Sequence, residues 1–321
     1  MVRYTIEQDR VRVHGQVYKL GIEYPANLTI QELVEDQLKQ TTTFPFTRCC
    51  FSLGDWGIIS GLPEALNSKY PNLLTYIPTA NWLRACFPDL KAWQHNGSDP
   101  ALYPELIFKN NPYVKFFNEN EFDKVFCDHD RAYRYDNEPL VDQILRAIGG
   151  FTENDLKNID SRPNLYFSDE ETSLGWKTIS NYCSNEFGCI LFASRLEHLN
   201  NCWDKNQKSI DNLIKTIHRK GFNKDYPIFY YSEFPIEESY WADIFNTDLL
   251  INFADIPNCD LRIQWFIKSK AKFNISYQAG FNDTVTKYSD HYVATHRIGT
   301  GETTMRGVTY FQNDGAIIRY E

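Results

Sequence analysis

The hydrophobic positions along this chain change period repeatedly, and the changes mark its elements. Cys49-Cys50-Phe51 is a short apolar run that reads as the end of a buried strand, and Gly54 after it permits a tight turn. From Asp55 onward Ile58, Ile59, Leu62, Ala65 and Leu66 recur close to every 3.6 residues, which predicts one helix ending at Tyr70-Pro71. Leu73 to Pro78 predicts a second strand, Trp82 to Phe87 a helical turn stopped by Pro88, and Phe122 to Cys127 another strand. Pro139 to Ile148 is amphipathic, with Leu140, Val141, Ile144, Leu145 and Ile148 on one side and Gly149-Gly150 closing it. Arg162 to Phe167 reads as an extended arm, and Ser168 as an N-cap with Asp169, Glu170 and Glu171 in the first turn. The rhythm then restarts. Strands are expected at Gly188 to Ala193, Pro227 to Tyr231, Asp248 to Asn252 and Phe273 to Ser276, and helices at Lys208 to Lys220 and Leu261 to Lys270. Ahead of all this, Arg10 to Leu20 alternates around Gly15 as a hairpin would, and Thr29 opens a capped helix reaching about Gln40.

Strands alternating with helices predict an α/β protein with parallel sheets and right-handed crossovers, in two halves joined by the arm. Strand, glycine turn and helix N-terminus around residues 49–58 form the ligand-facing edge of such a sheet, which sets Asp55 over the crevice. The length of 321 residues suits two domains. Hydrophobic residues at 42% and charged residues at 23% are those of a globular chain. The net charge of −9 disfavours non-specific binding to a nucleic-acid backbone. There is no run of 18 apolar residues, and the first residues are too polar for a signal peptide, so a cytoplasmic protein without a transmembrane segment is expected. The eight cysteines are scattered without a Cys-x-x-Cys, which fits reduced thiols and no structural zinc. Aromatic content of 15% serves either core packing or a sugar or base site.

Three separated segments carry a resemblance: Ser52-Leu53-Gly54-Asp55 with its helix through Pro63, Leu66 and Tyr70-Pro71; Pro139 to Gly149 followed by Arg162 to Glu171; and Ile263 to Gly280. In this order the chain resembles the heptosyltransferase-like glycosyltransferases, the family of the ADP-heptose:lipopolysaccharide enzymes, over residues 46 to about 285. The resemblance implies a GT-B fold, two Rossmann-like domains facing across a cleft. Residues 1–45 would be an N-terminal extension, 46–172 an acceptor domain with its exit arm, and 173–321 a nucleotide-sugar domain. It implies an inverting, metal-independent transfer from a nucleotide-diphosphate sugar to a glycan or other hydroxyl acceptor, with no further cofactor. Asp55 would be the general base, with Gly54 and Trp56 on the acceptor side. The donor side would draw on Ser194, Arg195 and His198 after one strand, Glu233 after another, and Gln278, Ala279, Gly280 and Asp283 after a third. Gln278 and Asp283 stand where the family has an acidic residue and often a histidine.

Each of these residues has a plainer reading. Asp55 caps its own helix, Trp56 packs in the core, Arg195 is a solvated charge, Gly280 makes a turn, and Glu233 starts a surface helix. Asp128-His129-Asp130 mimics a metal-binding Asp-x-Asp but lies in the half away from the donor. Gly299-Thr300-Gly301 lacks the lysine ending of a phosphate loop. Two other functions share the architecture, a nucleotide-sugar epimerase that needs no acceptor and a non-catalytic binding or scaffold protein.

Overall fold

The computed structural model describes residues 2–5, 19–24, 42–48, 51–87, 90, 98–118, 121–122, 125–128, 139–147, 150–184, 186–193, 225–232, 245–277, 290–294, 309–311 and 317–319. These fall into two compact units, one running to Tyr166 and the other beginning at Phe167.

The first unit opens with strands β1 (Val2–Thr5) and β2 (Lys19–Tyr24), paired antiparallel. The expected hairpin turn around Gly15 and the helix from Thr29 lie outside the described residues. Four parallel strands follow: β3 (Thr43–Arg48), β4 (Leu74–Pro78), β5 (Val114–Phe117) and β6 (Phe126–Asp128), in the order β5-β4-β3-β6. β3 starts inside the segment read as an extension and ends at Arg48, so Phe51 belongs to the loop after it. It pairs with β4 through Thr43–Pro45 and with β6 through Phe46–Arg48. Pro45, which has no N–H to donate, therefore sits where the ladder passes from one neighbour to the other.

The helix expected from Asp55 to Tyr70 is two helices, α1 (Leu53–Ile58) and α2 (Leu62–Lys69). Pro63 explains the break: in a continuous helix its ring would collide with the carbonyl of Ile59. Gly61 sits in the break, and a Cβ there would lie 2.3 Å from the carbonyl oxygen of Arg162. The chain after β4 forms α3 (Ala80–Cys86) and α4 (Tyr103–Phe108), the latter unforeseen from the sequence. After β6 come α5 (Leu140–Ala147) and α6 (Glu153–Asn158).

Residues 161–166 are the arm, and they are stitched to the break between α1 and α2. Asn164 N–H donates to Ser60 Oγ at 2.9 Å, and Asn164 Nδ2 and Tyr166 OH both donate to Glu64 Oε2 at 3.0 Å. Burial, and then the neighbouring Glu64 charge, push the Tyr166 phenol up, so it stays protonated as the donor. Ser161, fully buried, donates to Asp142 of α5.

The second unit starts with Ser168 capping α7 (Asp169–Tyr182). Its sheet has seven strands among the described residues: β7 (Gly188–Ala193), β8 (Ile228–Ser232), β9 (Leu250–Asn252), β10 (Phe273–Tyr277), β11 (Asp290–Ala294), β12 (Thr309–Phe311) and β13 (Ile317–Arg319). Their order is β13-β12-β11-β10-β7-β8-β9, parallel except for the edge strand β13. Helix α8 (Leu261–Lys270) packs on α7 through Phe266, whose ring would touch any Cβ placed on Gly175. Arg262 of α8 and Glu171 of α7 form a buried pair with two hydrogen bonds, 3.1 and 2.9 Å. The expected helix at Lys208 to Lys220 lies outside the described residues. Counted from the first strand of each sheet, both units show the doubly wound order 3-2-1-4, extended in the second by strands 5, 6 and 7. The expectation of an α/β protein with two Rossmann-like units therefore holds.

Candidate functional site

In a sheet of order 3-2-1-4 the chain leaves strand 1 toward one side and later returns to the other. The gap opens between the carboxyl ends of strands 1 and 4, and ligands bind there. In the first unit those strands are β3 and β6, and the residues following β3 include Ser52 and Asp55.

Asp55 is the third residue of α1, half-buried, in a reciprocal cap with Ser52. Its N–H donates to Ser52 Oγ at 3.1 Å, while Ser52 N–H at 3.1 Å and Ser52 Oγ at 2.6 Å both donate to Asp55 Oδ2. The plain reading of Asp55 as a helix cap is thus part of its role. Arg48, 0% exposed at the end of β3, donates from Nη1 to the Asp55 carbonyl oxygen. The residue is held at its N–H, its carbonyl and one carboxylate oxygen. Asp55 Oδ1 has no hydrogen-bond partner among the described residues.

Two other caps of the same design supply a comparison within the molecule. Thr152 and Asp155 form one at α6, and Ser168 and Glu171 another at α7. Both of those carboxylates also hold a cation: Lys69 on Asp155 at 3.0 Å, and Arg262 on both oxygens of Glu171. Among the described residues Asp55 alone of the three carries no cation. A capping carboxylate that is tied on one oxygen and open on the other, at the switch point of a doubly wound sheet, can accept a proton from a ligand hydroxyl.

Trp56 requires a correction. It is 0% exposed and meets Phe108 edge-on at a ring separation of 6.2 Å, so it is a core residue rather than a platform for a sugar ring. Successive residues of a helix point about 100° apart, which leaves Asp55 half-buried and turns Trp56 into the core. Gly54 is corrected as well, being a buried helical residue in the first turn of α1 and not a turn glycine. Ser194, Arg195 and His198 follow β7 in the chain, Glu233 follows β8, and Gln278, Ala279, Gly280 and Asp283 follow β10; all lie outside the described residues. So do Asp130 and His129, and the Gly299 segment. Among the described residues no group of three or more His, Cys, Asp or Glu could hold a metal ion, and no helix is long and apolar enough to cross a membrane. Sequence reasoning missed Ser52 and Arg48 as partners of Asp55. The Ser-x-x-Asp spacing is a signature of the cap, whereas nothing in the pattern of β3 tells which way Arg48 turns.

No family model and no curated protein matches this chain. Among solved structures, a glycosyl transferase family 9 protein from Veillonella parvula matches 84% of this chain and 85% of its own, at 9% identity and a TM-score of 0.46. The E. coli ADP-heptose LPS heptosyltransferase II matches 83% of this chain and 89% of its own, at 11% identity and a TM-score of 0.41. E. coli heptosyltransferase WaaC with ADP matches 80% of this chain and 91% of its own, at 11% identity and a TM-score of 0.36. By their names these three are a family 9 glycosyl transferase and two heptosyltransferases, and a UDP-N-acetylglucosamine 2-epimerase also matches, over 81% of this chain and 80% of its own at 10% identity and a TM-score of 0.29.

Proposed function

We propose that the chain is an inverting GT-B glycosyltransferase that moves a sugar from a nucleotide-diphosphate sugar to a glycan or other hydroxyl acceptor without a metal. The observation that carries this reading is the open Oδ1 of Asp55 at the switch point of the first sheet. The motif resemblance of residues 52–55, 139–171 and 263–280 supplies the reaction class.

In the proposed step the acceptor oxygen attacks the anomeric carbon from the face opposite the leaving group. A new C–O bond forms as the bond to the phosphate oxygen breaks. The electron pair leaves with the nucleoside diphosphate, and the acceptor proton passes to Asp55 Oδ1. The donor would be held by the second unit, whose switch point lies between the carboxyl ends of β7 and β10. Ser194, Arg195 and His198 follow the first of these strands, and Gln278, Ala279, Gly280 and Asp283 follow the second; Glu233 follows β8, next to β7.

The test has two stages. A thermal-shift screen against ADP-, GDP-, UDP-, CMP- and dTDP-linked sugars identifies the donor, because a ligand of the folded state raises the melting temperature. Nucleotide release is then followed with and without hydroxyl acceptors. Asp55→Asn should lower turnover by about 10² to 10⁴-fold while the donor-induced shift persists. No shift with any of these sugars at millimolar concentration, or full turnover by Asp55→Asn, overturns the reading. Conversion of the sugar without an acceptor would identify an epimerase instead.

A further inference from the structure

Helix capping explains only part of what Ser52 does. A cap needs the hydroxyl as an acceptor for the N–H three residues on, and Ser52 Oγ fills that role at 3.1 Å from Asp55 N. The hydroxyl proton is not needed for the cap. In the cap of α7 it is spent elsewhere, since Ser168 Oγ donates to Glu170 Oε2 at 2.8 Å while Glu171 turns to Arg262. In the cap of α6 it reaches Asp155 Oδ2 at 2.9 Å, on an oxygen that also receives Lys69. At α1 it reaches Asp55 Oδ2 at 2.6 Å, next to the Ser52 N–H and with no cation on the carboxylate among the described residues.

We propose that Ser52 is a positioning residue for Asp55. Its two donors, both on Oδ2, fix the carboxylate so that Oδ1 is the oxygen presented to the acceptor hydroxyl. Two hydrogen bonds on one oxygen hold the side chain in one rotamer and saturate that oxygen, leaving the lone pairs of Oδ1 to receive the proton. Positioning of this kind is energetically sensitive, because displacing a reacting group by about 1 Å costs about 10²-fold in rate. The proposal rests on the reading of Asp55 as the general base.

The N-cap preferences separate capping from positioning. Aspartate caps a helix about as well as serine, because both accept from the backbone N–H. An ionised aspartate has no proton to give and places a like charge beside Asp55. Threonine accepts and donates as serine does. Ser52→Asp, Ser52→Thr and Ser52→Ala are compared by melting temperature and by kcat and KM for nucleotide release from whichever sugar of the panel is turned over.

The expected result is a Ser52→Asp protein that melts close to the parent with kcat reduced about 10 to 10²-fold and donor KM unchanged. Ser52→Thr should restore kcat, and Ser52→Ala should lose both kcat and melting temperature. Parental kcat in Ser52→Asp, with Asp55→Asn inactive, overturns the role of Ser52 and leaves Asp55 standing; parental turnover in Asp55→Asn overturns both. If a sugar of the panel binds but none is turned over, crystal structures of Ser52→Ala and the parent decide. A changed Asp55 rotamer supports the proposal, and an unchanged one overturns it.

Discussion

Asp155 shows what the same capping geometry does when the carboxylate also holds a cation. Its carboxyl is held below the usual aspartate range, first by the backbone N–H of Thr152 and further by the side chains of Lys69 and Thr152. A depressed value in the folded state means that the unfolded chain binds the proton more readily. The stabilisation is therefore complete above the ordinary aspartate value of about 3.9 and is lost as pH falls through the folded value. Asp155→Asn should flatten the fall of unfolding free energy below about pH 4, read from urea midpoints at a series of pH values. An equally steep acid limb in the variant would contradict that account. At this scale the sequence was informative about types and blind to partners. Ser52 and Asp55 could be read as a spacing, but the direction of Trp56 could not, since one residue along α1 divides a half-buried side chain from a fully buried one.

Elements were legible wherever a period ran long enough. Leu261–Lys270 and Gly188–Ala193 have the limits that their apolar patterns predict, and α5 differs from expectation by a residue at each end. Short elements such as α4 and α6 offered too few turns for a period to emerge. The helix split at Ile59–Gly61 was misread because its apolar rows continue in register across the break, so that Leu62 and Leu66 look like the next turns of α1. The break exists to let the arm pass. With no Cβ at position 61, the carbonyls of Ser161 and Arg162 come close enough for Asn164 to reach Ser60 and Glu64. Gly61→Ala should then cost about 1 to 3 kcal/mol, since the obstructing atoms are backbone and cannot swing away. Denaturant unfolding would measure this, and a loss below a few tenths of a kcal/mol would show that the arm can shift.

At the scale of the whole molecule, the alternation of strand and helix gave two parallel sheets, but not the closing strands of the second. β11, β12 and β13 have no equivalent in the sequence reading, and β12 and β13 are only three residues each. They turn a parallel sheet with an open edge into one closed by an antiparallel strand. Ending the chain before Thr309 should leave β11 with an unpaired edge and produce concentration-dependent association, visible by size-exclusion chromatography. A truncated chain that stays monodisperse would mean that β11 is protected by other means. The arm has a further consequence, for the order in which the first unit is completed at the ribosome. All four strands of its sheet precede residue 129, yet Ser60 waits for Asn164, 104 positions later. At synthesis rates of about 5 to 20 residues per second, roughly 5 to 20 s separate the emergence of the two. The last strand, β6, ends at Asp128, about 36 positions before Asn164, so for roughly 2 to 7 s of that interval the sheet can be formed while the turn after α1 still lacks its clasp. Any chaperone or membrane surface that meets the nascent chain would meet the first unit with the neighbourhood of Asp55 as its last unfinished part.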